Sequence, residues 1–203
     1  MKKRLSILLL SLAATVIALA ATTENTPATS YFIDIHEFGP GNVTASAVAD
    51  AHRHDLTVQQ KHGVRFIKYW VDEENGRVYC LSSAASAASI ANAHREAHGL
   101  LPASILHVSG GNEVALTEGA QLFLDIHEFG AGNVTAKAVA EAHEKDLQVQ
   151  SRFGVRFINY WVDEANGKVL CLSEAPNAEA VRETHRHAHG LLPLQVVKVT
   201  QGE

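Results

Sequence analysis

The sequence predicts an α+β protein made of two tandem ferredoxin-like βαββαβ modules packed as a pseudo-dimer. The first observation is an internal repeat, because residues 31–108 and 122–199 align at a constant offset of 91 positions, with 48 of the 78 aligned positions identical. The second is the order of elements within each repeat. The third is that the hairpin strands of each repeat are apolar on both faces, which predicts a covered sheet.

The first part of each module is predicted to be a strand followed by a helix. Segment 31–38 alternates apolar and polar side chains around Ile33 and Ile35, which is typical of a strand. Thr44 is a suitable N-cap for a helix that runs to about His62.

The second part is predicted to be a hairpin, a helix and a short strand. Asn75-Gly76 separates two β-branched and aromatic runs, which is typical of a type I′ hairpin. A second helix is expected over residues 86–98, closed by Gly99, and residues 105–108 form the last strand.

The hairpin pattern also predicts how the modules pack. The helices cover one sheet face, and we expect the other module to cover the second face, with a loose linker at 109–121 between them. A second chain would satisfy the same pattern, so a homo-oligomer is an open alternative. The two predicted faces are Ile67, Tyr69, Val71, Val78 and Cys80 on one side, and Phe66, Trp70, Tyr79 and Leu81 on the other.

The N-terminus has the features of a secretory signal peptide over residues 1–20. Cationic residues 2–4 precede an apolar run over 5–19, and Ala18-Leu19-Ala20 fits a small-x-small cleavage site. The run is short for a membrane-spanning helix, although an uncleaved anchor is the alternative. The sequence therefore predicts an exported protein, periplasmic or secreted.

The net charge argues against two classes of partner. It is −5 for the whole chain at pH 7 and falls to −8 when the three cationic residues of the signal peptide are removed. An acidic chain without a basic run is not typical of proteins that bind nucleic acid or anionic membranes. We therefore expect neither partner for the mature protein.

The two cysteines, Cys80 and Cys171, occupy equivalent positions in the two modules. In an oxidising compartment they could form a disulfide between the modules. Each lies within an apolar strand, where free cysteine behaves as a small hydrophobic residue. The sequence leaves both alternatives open.

Eight of the 12 histidines are four pairs shared between the modules, and two of each four lie on the second helix. His94 and His98, repeated as His185 and His189, stand at i and i+4. This spacing places both imidazoles on one helix face, close enough to share a cation. Glutamate does not directly follow the first histidine, so the zinc-protease signature is absent.

The first helix carries another candidate set, His52 and Asp55, repeated as His143 and Asp146. Both helices of a module are predicted on the same sheet face, so this set could approach the histidines of the second helix. Imidazole with carboxylate suits Ni²⁺, Zn²⁺, Co²⁺ or Cu²⁺. The alternatives are a carboxylate that only orients an imidazole and a core histidine without an ion.

A third set lies on the first strand, where Asp34 and His36 share a face and are repeated as Asp125 and His127. If the neighbouring isoleucines face the helices, this pair points into the space between the modules. One ion cannot then easily reach both the strand set and the helix set. Two kinds of site, a histidine that reaches around an edge, and a metal-free ion pair are all open.

Longer motifs carry a family resemblance. They are the runs 160–164, 167–176 and 185–191, together with Asp125-Ile126-His127 and the spaced set His143, Asp146 and Gln150. Together they resemble the DUF4242 family, often called the nickel-binding ferredoxin-like family, over nearly all of both modules. The resemblance implies a small α+β module that binds Ni²⁺ or a similar ion and tends to pair, and it brings no catalytic activity.

The second module fits the family pattern better than the first, because Ser83 replaces Glu174 and Ala85 replaces Pro176. If Glu174 is a ligand, the two sites differ in affinity or only one is occupied. The candidate metal ligands are therefore His36, His52, Asp55, His94, His98, His127, His143, Asp146, Glu174, His185 and His189.

The preferred hypothesis is an exported divalent-metal-binding protein that buffers or senses nickel-like ions, with affinity that falls as the pH drops through about 6–7. The alternative is a small-molecule enzyme of the paired α/β-barrel type, a haem or cofactor-free oxygenase. In it, His36, His127, Tyr69 and Tyr160 would line a chamber between the modules. An interaction module with incidental histidines is the third hypothesis, and no catalytic residue is assigned.

Overall fold

The computed structural model describes residues 29–203, so the signal peptide predicted at 1–20 lies outside the described residues. The strands are β1 Ser30–Glu37, β2 Val64–Asp72, β3 Arg77–Ala84, β4 Ser104–Gly110, β5 Leu122–Glu128, β6 Arg156–Asp163, β7 Lys168–Glu174 and β8 Gln195–Gly202. The helices are α1 Ala45–Val58, α2 Ala87–Ala97, α3 Ala136–Val149 and α4 Ala178–Ala188, and a 3₁₀ turn spans Gln150–Phe153.

The eight strands form one closed antiparallel barrel in the order β1-β3-β2-β8-β5-β7-β6-β4, with β4 returning to β1. The predicted fold class, two ferredoxin-like modules packed as a pseudo-dimer, is therefore wrong. Strand β2 pairs with β8, where Trp70 lies opposite Gln201, and β4 pairs with β6, where Gly110 lies opposite Trp161. The two halves thus share a single sheet and do not stack two separate ones.

Closure depends on residues beyond the predicted strand ends. Strand β4 continues to Gly110 and β8 continues to Gly202, and these extensions pair with the hairpin of the other half. The start of the segment expected to be a loose linker also follows β6, because the amides of Gly111 and Val114 donate to the carbonyls of Tyr160 at 3.0 Å and Ile158 at 2.9 Å. Pairing of this kind removes open sheet edges, which are a liability in an isolated sheet.

Apolar side chains from both halves fill the interior of the barrel. The rings of Trp70 and Trp161 meet there with centroids 4.8 Å apart, and Ile33 and Leu124 are fully buried beside them. The second apolar sheet face is therefore covered, as the sequence requires, but by the curvature of one sheet. The interior cluster consists of Ile33, Trp70, Tyr79, Leu81, Leu106, Val108, Leu122, Leu124, Ile158, Trp161, Leu170, Leu172, Val197 and Val199.

Two local predictions for the first hairpin are wrong. The register of β2 against β3 shifts between Phe66 and Lys68, so Phe66 packs on the helix side and Ile67 against the interior cluster. The loop is longer than a two-residue type I′ turn, because β2 ends at Asp72 and β3 begins at Arg77. Gly76 has φ +71°, and a Cβ there would lie 1.7 Å from the carbonyl oxygen of Gly39.

The helices lie on the outer surface of the barrel, and α1 packs beside α2 as α3 packs beside α4. The Thr44 hydroxyl accepts a hydrogen bond from the amide of Ala47 at 3.2 Å, which confirms the predicted cap of α1. Between helices and sheet, Phe32, Phe66 and Ile90 form a buried cluster in the first half. Each half therefore has an outer layer in which helix side chains face the outward side chains of the strands.

Both cysteines are free and buried in this outer layer, so the predicted alternative of an inter-module disulfide is not what the structure contains. Burial raises the pKa of both thiols well above the ordinary value, and nearby carboxylates raise it further. Among the described helices, none has the length and hydropathy needed to cross a membrane.

Candidate metal centre

Asp34 and His36 point outward from β1, toward α2. The alternating side chains of the strand explain this, because Ile33 belongs to the barrel interior and Ile35 packs against it. The premise that these isoleucines face the helices is therefore wrong. The strand set and the helix set lie together in each half, and no histidine has to reach around an edge.

In the first half, a continuous chain of histidines and carboxylates connects β1, α2 and α1. The Asp34 carboxylate lies 3.0 Å from Nε2 of His36 and 3.2 Å from Nε2 of His94. On the other side of the His94 ring, Nδ1 lies 2.9 Å from the Asp55 carboxylate. Nε2 of His98 lies 3.2 Å from the same Asp55 oxygen. His94 is thus held between two carboxylates, each of which also meets a second imidazole.

Three of these donor atoms have the spacing of ligands around one ion. Nδ1 of His94, Nε2 of His98 and Oδ1 of Asp55 are separated by 2.9, 3.2 and 3.3 Å. Ligands at about 2.1 Å from an ion, at right angles to one another, stand about 3.0 Å apart. The donor set of two imidazoles and one carboxylate therefore fits one face of a divalent ion without large movements of the helices.

The second half repeats this geometry. Nδ1 of His185, Nε2 of His189 and Oδ1 of Asp146 are separated by 3.0, 3.2 and 3.2 Å. Asp125 lies 3.1 Å from Nε2 of His127, and its distance of 3.3 Å from Nε2 of His185 lacks hydrogen-bond geometry. We name the two three-donor sets the His/Asp triangles: Asp55, His94 and His98 in the first half, and Asp146, His185 and His189 in the second.

The electrostatics of the first triangle are dominated by the carboxylates around His94. Burial lowers the pKa of His94, but the hydrogen bonds and charges of Asp34 and Asp55 outweigh burial and raise it to about 9. Burial raises the pKa of Asp55, but hydrogen bonds from His94 and His98 outweigh it and lower the pKa to about 2. At neutral pH without an ion, His94 is therefore a cation between two anions.

The second triangle follows the same rule. The pKa of His185 is raised to about 10, because Asp125 and Asp146 outweigh the lowering effect of burial. For Asp125, burial raises the pKa, but the hydrogen bond from His127 and the nearby charge of His185 outweigh it and lower the value to about 2. In both halves, a protonated histidine, His94 or His185, therefore stands where an ion would bind.

Several buried polar atoms of these clusters have no hydrogen-bond partner within the described chain. They include Oδ2 of Asp34, Oδ2 of Asp125 and Nδ1 of His127. Both aspartates are fully buried, and an unpaired carboxylate oxygen in such a place is costly. Donor atoms of Asp125, His127 and Cys171 also lie within 4.8 Å of one another. The cluster therefore has unused capacity to bind a positive group.

The backbone fixes one tautomer of His98. The amide of Leu100 donates a hydrogen bond to Nδ1 of His98 at 3.1 Å, and the amide of Leu191 does the same to His189. A ring nitrogen that accepts a hydrogen bond carries no proton, so the neutral ring has its proton on Nε2. An ion at Nε2 must therefore displace this proton to Nδ1 and break the contact with Leu100.

The remaining predicted ligands lie at different distances from the triangles. His52 and His143 are outside the groups of close donor atoms, although each ring packs at a tilt against a tyrosine ring, with centroids 4.9 Å from Tyr69 and 4.8 Å from Tyr160. Burial lowers the pKa of both histidines. Their position beside the triangles suits contact with a bound molecule better than direct ligation.

Glu174 is not brought to either triangle. Its carboxylate accepts hydrogen bonds from the Arg156 guanidinium at 2.6 Å and from the Thr117 amide at 2.5 Å. It therefore fixes the segment before β5 against β6 and β7. The replacement of Glu174 by Ser83 in the first half leaves the triangle of that half complete.

Sequence reasoning missed the central position of Asp34 and Asp125, which were considered with the neighbouring histidine as a separate kind of site or as a metal-free ion pair and were not named among the candidate ligands. The available signal was the retention of Asp-x-His in both repeats. Gln59 and Gln150 are not part of the site, because their side chains accept hydrogen bonds from the amides of Phe66 and Phe157.

The fold and the clusters together define an α+β-barrel protein with two groups of side chains in each half that could hold a metal ion, built from histidine and carboxylate and, in one group, Cys171. The model of the family described as nickel responsive protein SCO4226-like matches residues 32–108 and 123–199. The chain belongs to this family, in two copies. The predicted resemblance to a nickel-related family is thus confirmed, under the SCO4226-like name.

Some solved structures are similar to part of this chain and others to most of it. SCO4226 from Streptomyces coelicolor A3(2) is 37% identical over 37% of this chain and 90% of that chain, with a TM-score of 0.35. A putative monooxygenase from Lactobacillus acidophilus NCFM is 10% identical over 85% of this chain and 93% of that chain, with a TM-score of 0.47. A mutant chlorite dismutase from Candidatus Nitrospira defluvii is 7% identical over 86% and 91%, with a TM-score of 0.47. No curated protein matches the chain.

Proposed function

We propose that this protein binds a divalent, nickel-like ion at the His/Asp triangle of each half, and that it buffers or senses such ions. The observation that carries the proposal is the spacing of the three donor atoms, 2.9–3.3 Å in the first half and 3.0–3.2 Å in the second. The same three atoms have nearly the same spacing in both halves, as the repeat of the sequence requires.

The donor chemistry supports a borderline ion. Two imidazole nitrogens with one carboxylate oxygen suit Ni²⁺, Co²⁺, Zn²⁺ and Cu²⁺, whereas Mg²⁺ and Ca²⁺ prefer oxygen ligands alone. Membership of a nickel-responsive family favours Ni²⁺ within this group. Three protein donors leave coordination positions for water or another ligand, which suits reversible binding.

Asp34 and His36 support the first triangle without being counted as its ligands. When Nδ1 of His94 binds an ion, Nε2 keeps its proton and donates a hydrogen bond to the carboxylate of Asp34, 3.2 Å away. A carboxylate in this position fixes the orientation of the imidazole and makes it more basic. Asp125 and His127 take the same positions around His185.

Calorimetric titration of the untagged protein with Ni²⁺ tests the proposal. We expect binding tighter than about 100 µM, and loss of at least about tenfold in affinity in the double variant His98→Ala, His189→Ala. This variant is preferable to removal of His94, which would leave two buried carboxylates without their partner. The control His54→Ala, His107→Ala removes two exposed imidazoles outside the triangles and should bind as the parent does.

Two results would overturn the proposal. One is the absence of binding tighter than about 100 µM for Ni²⁺, Co²⁺, Zn²⁺ and Cu²⁺. The other is equal loss of affinity in the triangle variant and the control variant, which would assign binding to scattered surface histidines.

We also propose that the ion is bound outside the cytoplasm, on the strength of the cationic, apolar and small-x-small segments in residues 1–20. Cell fractionation with N-terminal sequencing of the mature protein tests this. Recovery of the protein in the cytoplasm with residues 1–20 attached would contradict it.

A second candidate function is a small-molecule enzyme, and one observation favours it. A cavity lies beside each triangle, so a bound ion would be accessible to a small molecule. The tryptophans meet inside the barrel, and a cavity of about 130 Å³ lies between the two halves, but none of the four residues predicted for the chamber lines it. His36, Tyr69 and His127 line the outer cavities. A haem absorption band in the purified protein would favour this candidate, and a colourless protein that turns over no small aromatic would count against it.

A further inference from the structure

Each half contains a cavity between its first helix and the outer surface of the barrel. It has a volume of about 150 Å³ in the first half and about 260 Å³ in the second. In the first half, all three members of the His/Asp triangle line it, together with His52. The cavity and the triangle therefore share a wall, and any ion in the triangle would be exposed to the contents of the cavity.

The remaining walls are mostly apolar. Val48 and Ala51 of α1 face Tyr69 and Val78 of the sheet in the first half, with Phe38 near one end. The equivalent positions in the second half include Val139, Ala142 and Val169. An apolar cavity of about 150 Å³ is large enough to hold one benzene-sized ring. The space therefore suits a single-ring molecule, and it is smaller than the pockets of about 300–1,000 Å³ that hold larger ligands.

Charge restricts the ligand further. Asp34 and Asp55 already supply two negative charges close to the triangle, which balance a divalent ion when the histidines are neutral. Among the described residues that line the two cavities, there is no lysine or arginine. A carboxylate or thiolate ligand would add an uncompensated negative charge in a partly enclosed apolar space, which is costly. A neutral donor adds none.

We propose that each cavity binds a small, neutral, single-ring molecule with one nitrogen donor, such as an azole or a pyridine, and that this nitrogen completes the coordination of the ion. The inference rests on the proposed metal binding and extends it to a second ligand of the same site. Nitrogen donors suit the ions that imidazole-rich sites prefer. In the first half, the apolar ring of the molecule would contact Ala51 and Tyr69 beside His52. In the second half, it would contact Ala142 beside His143.

The test uses the full mature protein loaded with Co²⁺, whose visible spectrum reports changes in its ligands. The probe is 4-methylimidazole at about pH 8.5, where its ring is mostly neutral. It is compared with toluene, which has the ring but no donor, and with benzoate, which has a charged donor. We expect 4-methylimidazole to shift the Co²⁺ spectrum and to bind at least about tenfold more tightly than benzoate or toluene. Its affinity should fall by at least about tenfold when Co²⁺ is removed.

A pair of matched variants separates the cavity from the ion. Ala51→Leu with Ala142→Leu adds bulk to the cavity wall and leaves every donor atom of the triangles in place. We expect Co²⁺ affinity within about threefold of the parent and probe affinity at least about tenfold lower. Ser46→Leu with Lys137→Leu adds the same side chain at exposed positions of the same two helices and should change neither.

The two proposals fail in different ways. If Co²⁺ and Ni²⁺ do not bind the parent protein, both the metal proposal and this inference are wrong. If Co²⁺ binds but 4-methylimidazole leaves its spectrum unchanged, only the inference is wrong. The inference is also wrong if the probe binds the Ala51→Leu, Ala142→Leu variant as tightly as the parent, since the probe would then reach the ion from outside the cavity.

Discussion

Nδ1 of His94 lies 3.3 Å from Nε2 of His98, and both atoms lie within 3.2 Å of the same Asp55 oxygen. Without an ion, both nitrogens donate hydrogen bonds to the Asp55 carboxylate, and these bonds hold the two rings in place. With an ion, the same three atoms become ligands and at least one proton has to leave. The competition between proton and ion at this point determines most of the measurable behaviour of the site.

Ion affinity should depend on pH well above the ordinary titration range of histidine. Because His94 has a pKa of about 9, an ion at Nδ1 must expel its proton at neutral pH. We expect the affinity of the first half to rise about tenfold per pH unit between about 7 and 9, with about one proton released per ion. Calorimetry in buffers of different protonation enthalpy measures this number. The sequence predicted that affinity would change at about pH 6–7, because it did not take into account the two carboxylates beside His94. An affinity that stays constant above pH 7 would support that earlier prediction and contradict this one.

The stability of the ion-free protein should show the opposite trend. The raised pKa of His94 stabilises the fold fully below about 6.5, and this contribution is lost as the pH rises through about 9. The lowered pKa of Asp55 stabilises the fold above about 3.9, and this contribution is lost as the pH falls toward about 2. The lowered pKa values of His52 and His143 add stability that is lost as the pH falls below about 6.5, so urea unfolding with a chelator present should give maximal stability near pH 6.5. A maximum at pH 8–9 would contradict the charged His94.

Ion binding should change the amides that follow the second helix of each half. An ion at Nε2 of His98 leaves the proton on Nδ1, so the Leu100 amide loses its acceptor. The Leu191 amide should respond in the same way through His189. We expect these two amide resonances to shift and to exchange faster with solvent by NMR when Zn²⁺ is added. The amide of Phe66, bonded to Gln59, is the internal control and should stay unchanged.

Neutralisation of the buried aspartates should weaken the site although neither is counted as a ligand. We expect Asp34→Asn with Asp125→Asn to lower Ni²⁺ affinity by about 10–100-fold, because a neutral amide lacks the negative charge that orients the imidazoles of His94 and His185 and makes them more basic. A chelator competition assay at about pH 9 measures this with little interference from the His94 proton. Asp50→Asn with Glu141→Gln removes two exposed charges and is the control. If the Asp34→Asn, Asp125→Asn variant and the control variant bind Ni²⁺ with equal affinity, the two buried aspartates have no part in the site.

The sequence predicted the parts of the site that depend on local periodicity. The i, i+4 spacing of His94 and His98 places both rings on one face of any helix, and the capped first helix places Asp55 beside them. The face of β1 was not predictable in this way. Both faces of the strand are buried, so Asp34 could point either into a barrel or toward the helices, and alternation alone does not distinguish them.

The barrel itself was missed because its closure depends on polar extensions. Gly110 and Gly202 continue β4 and β8 although nothing in their composition indicates a strand. The register shift near Phe66 likewise has no turn residue to mark it. Glu174 was assigned to the site because of its family pattern, whereas its partner Arg156 is 18 residues earlier and becomes its neighbour only when β6 pairs with β7.

X-ray absorption spectroscopy of the Ni²⁺-loaded protein tests the central claim most directly, because it reports the ligands themselves. The two triangles predict two ions per chain, each with nitrogen or oxygen ligands at about 2.1 Å and the outer-shell scattering of about two imidazoles. His98→Ala with His189→Ala should reduce this scattering to about one imidazole per ion. A nickel shell without imidazole scattering, or one that the double variant leaves unchanged, would contradict metal binding at the triangles.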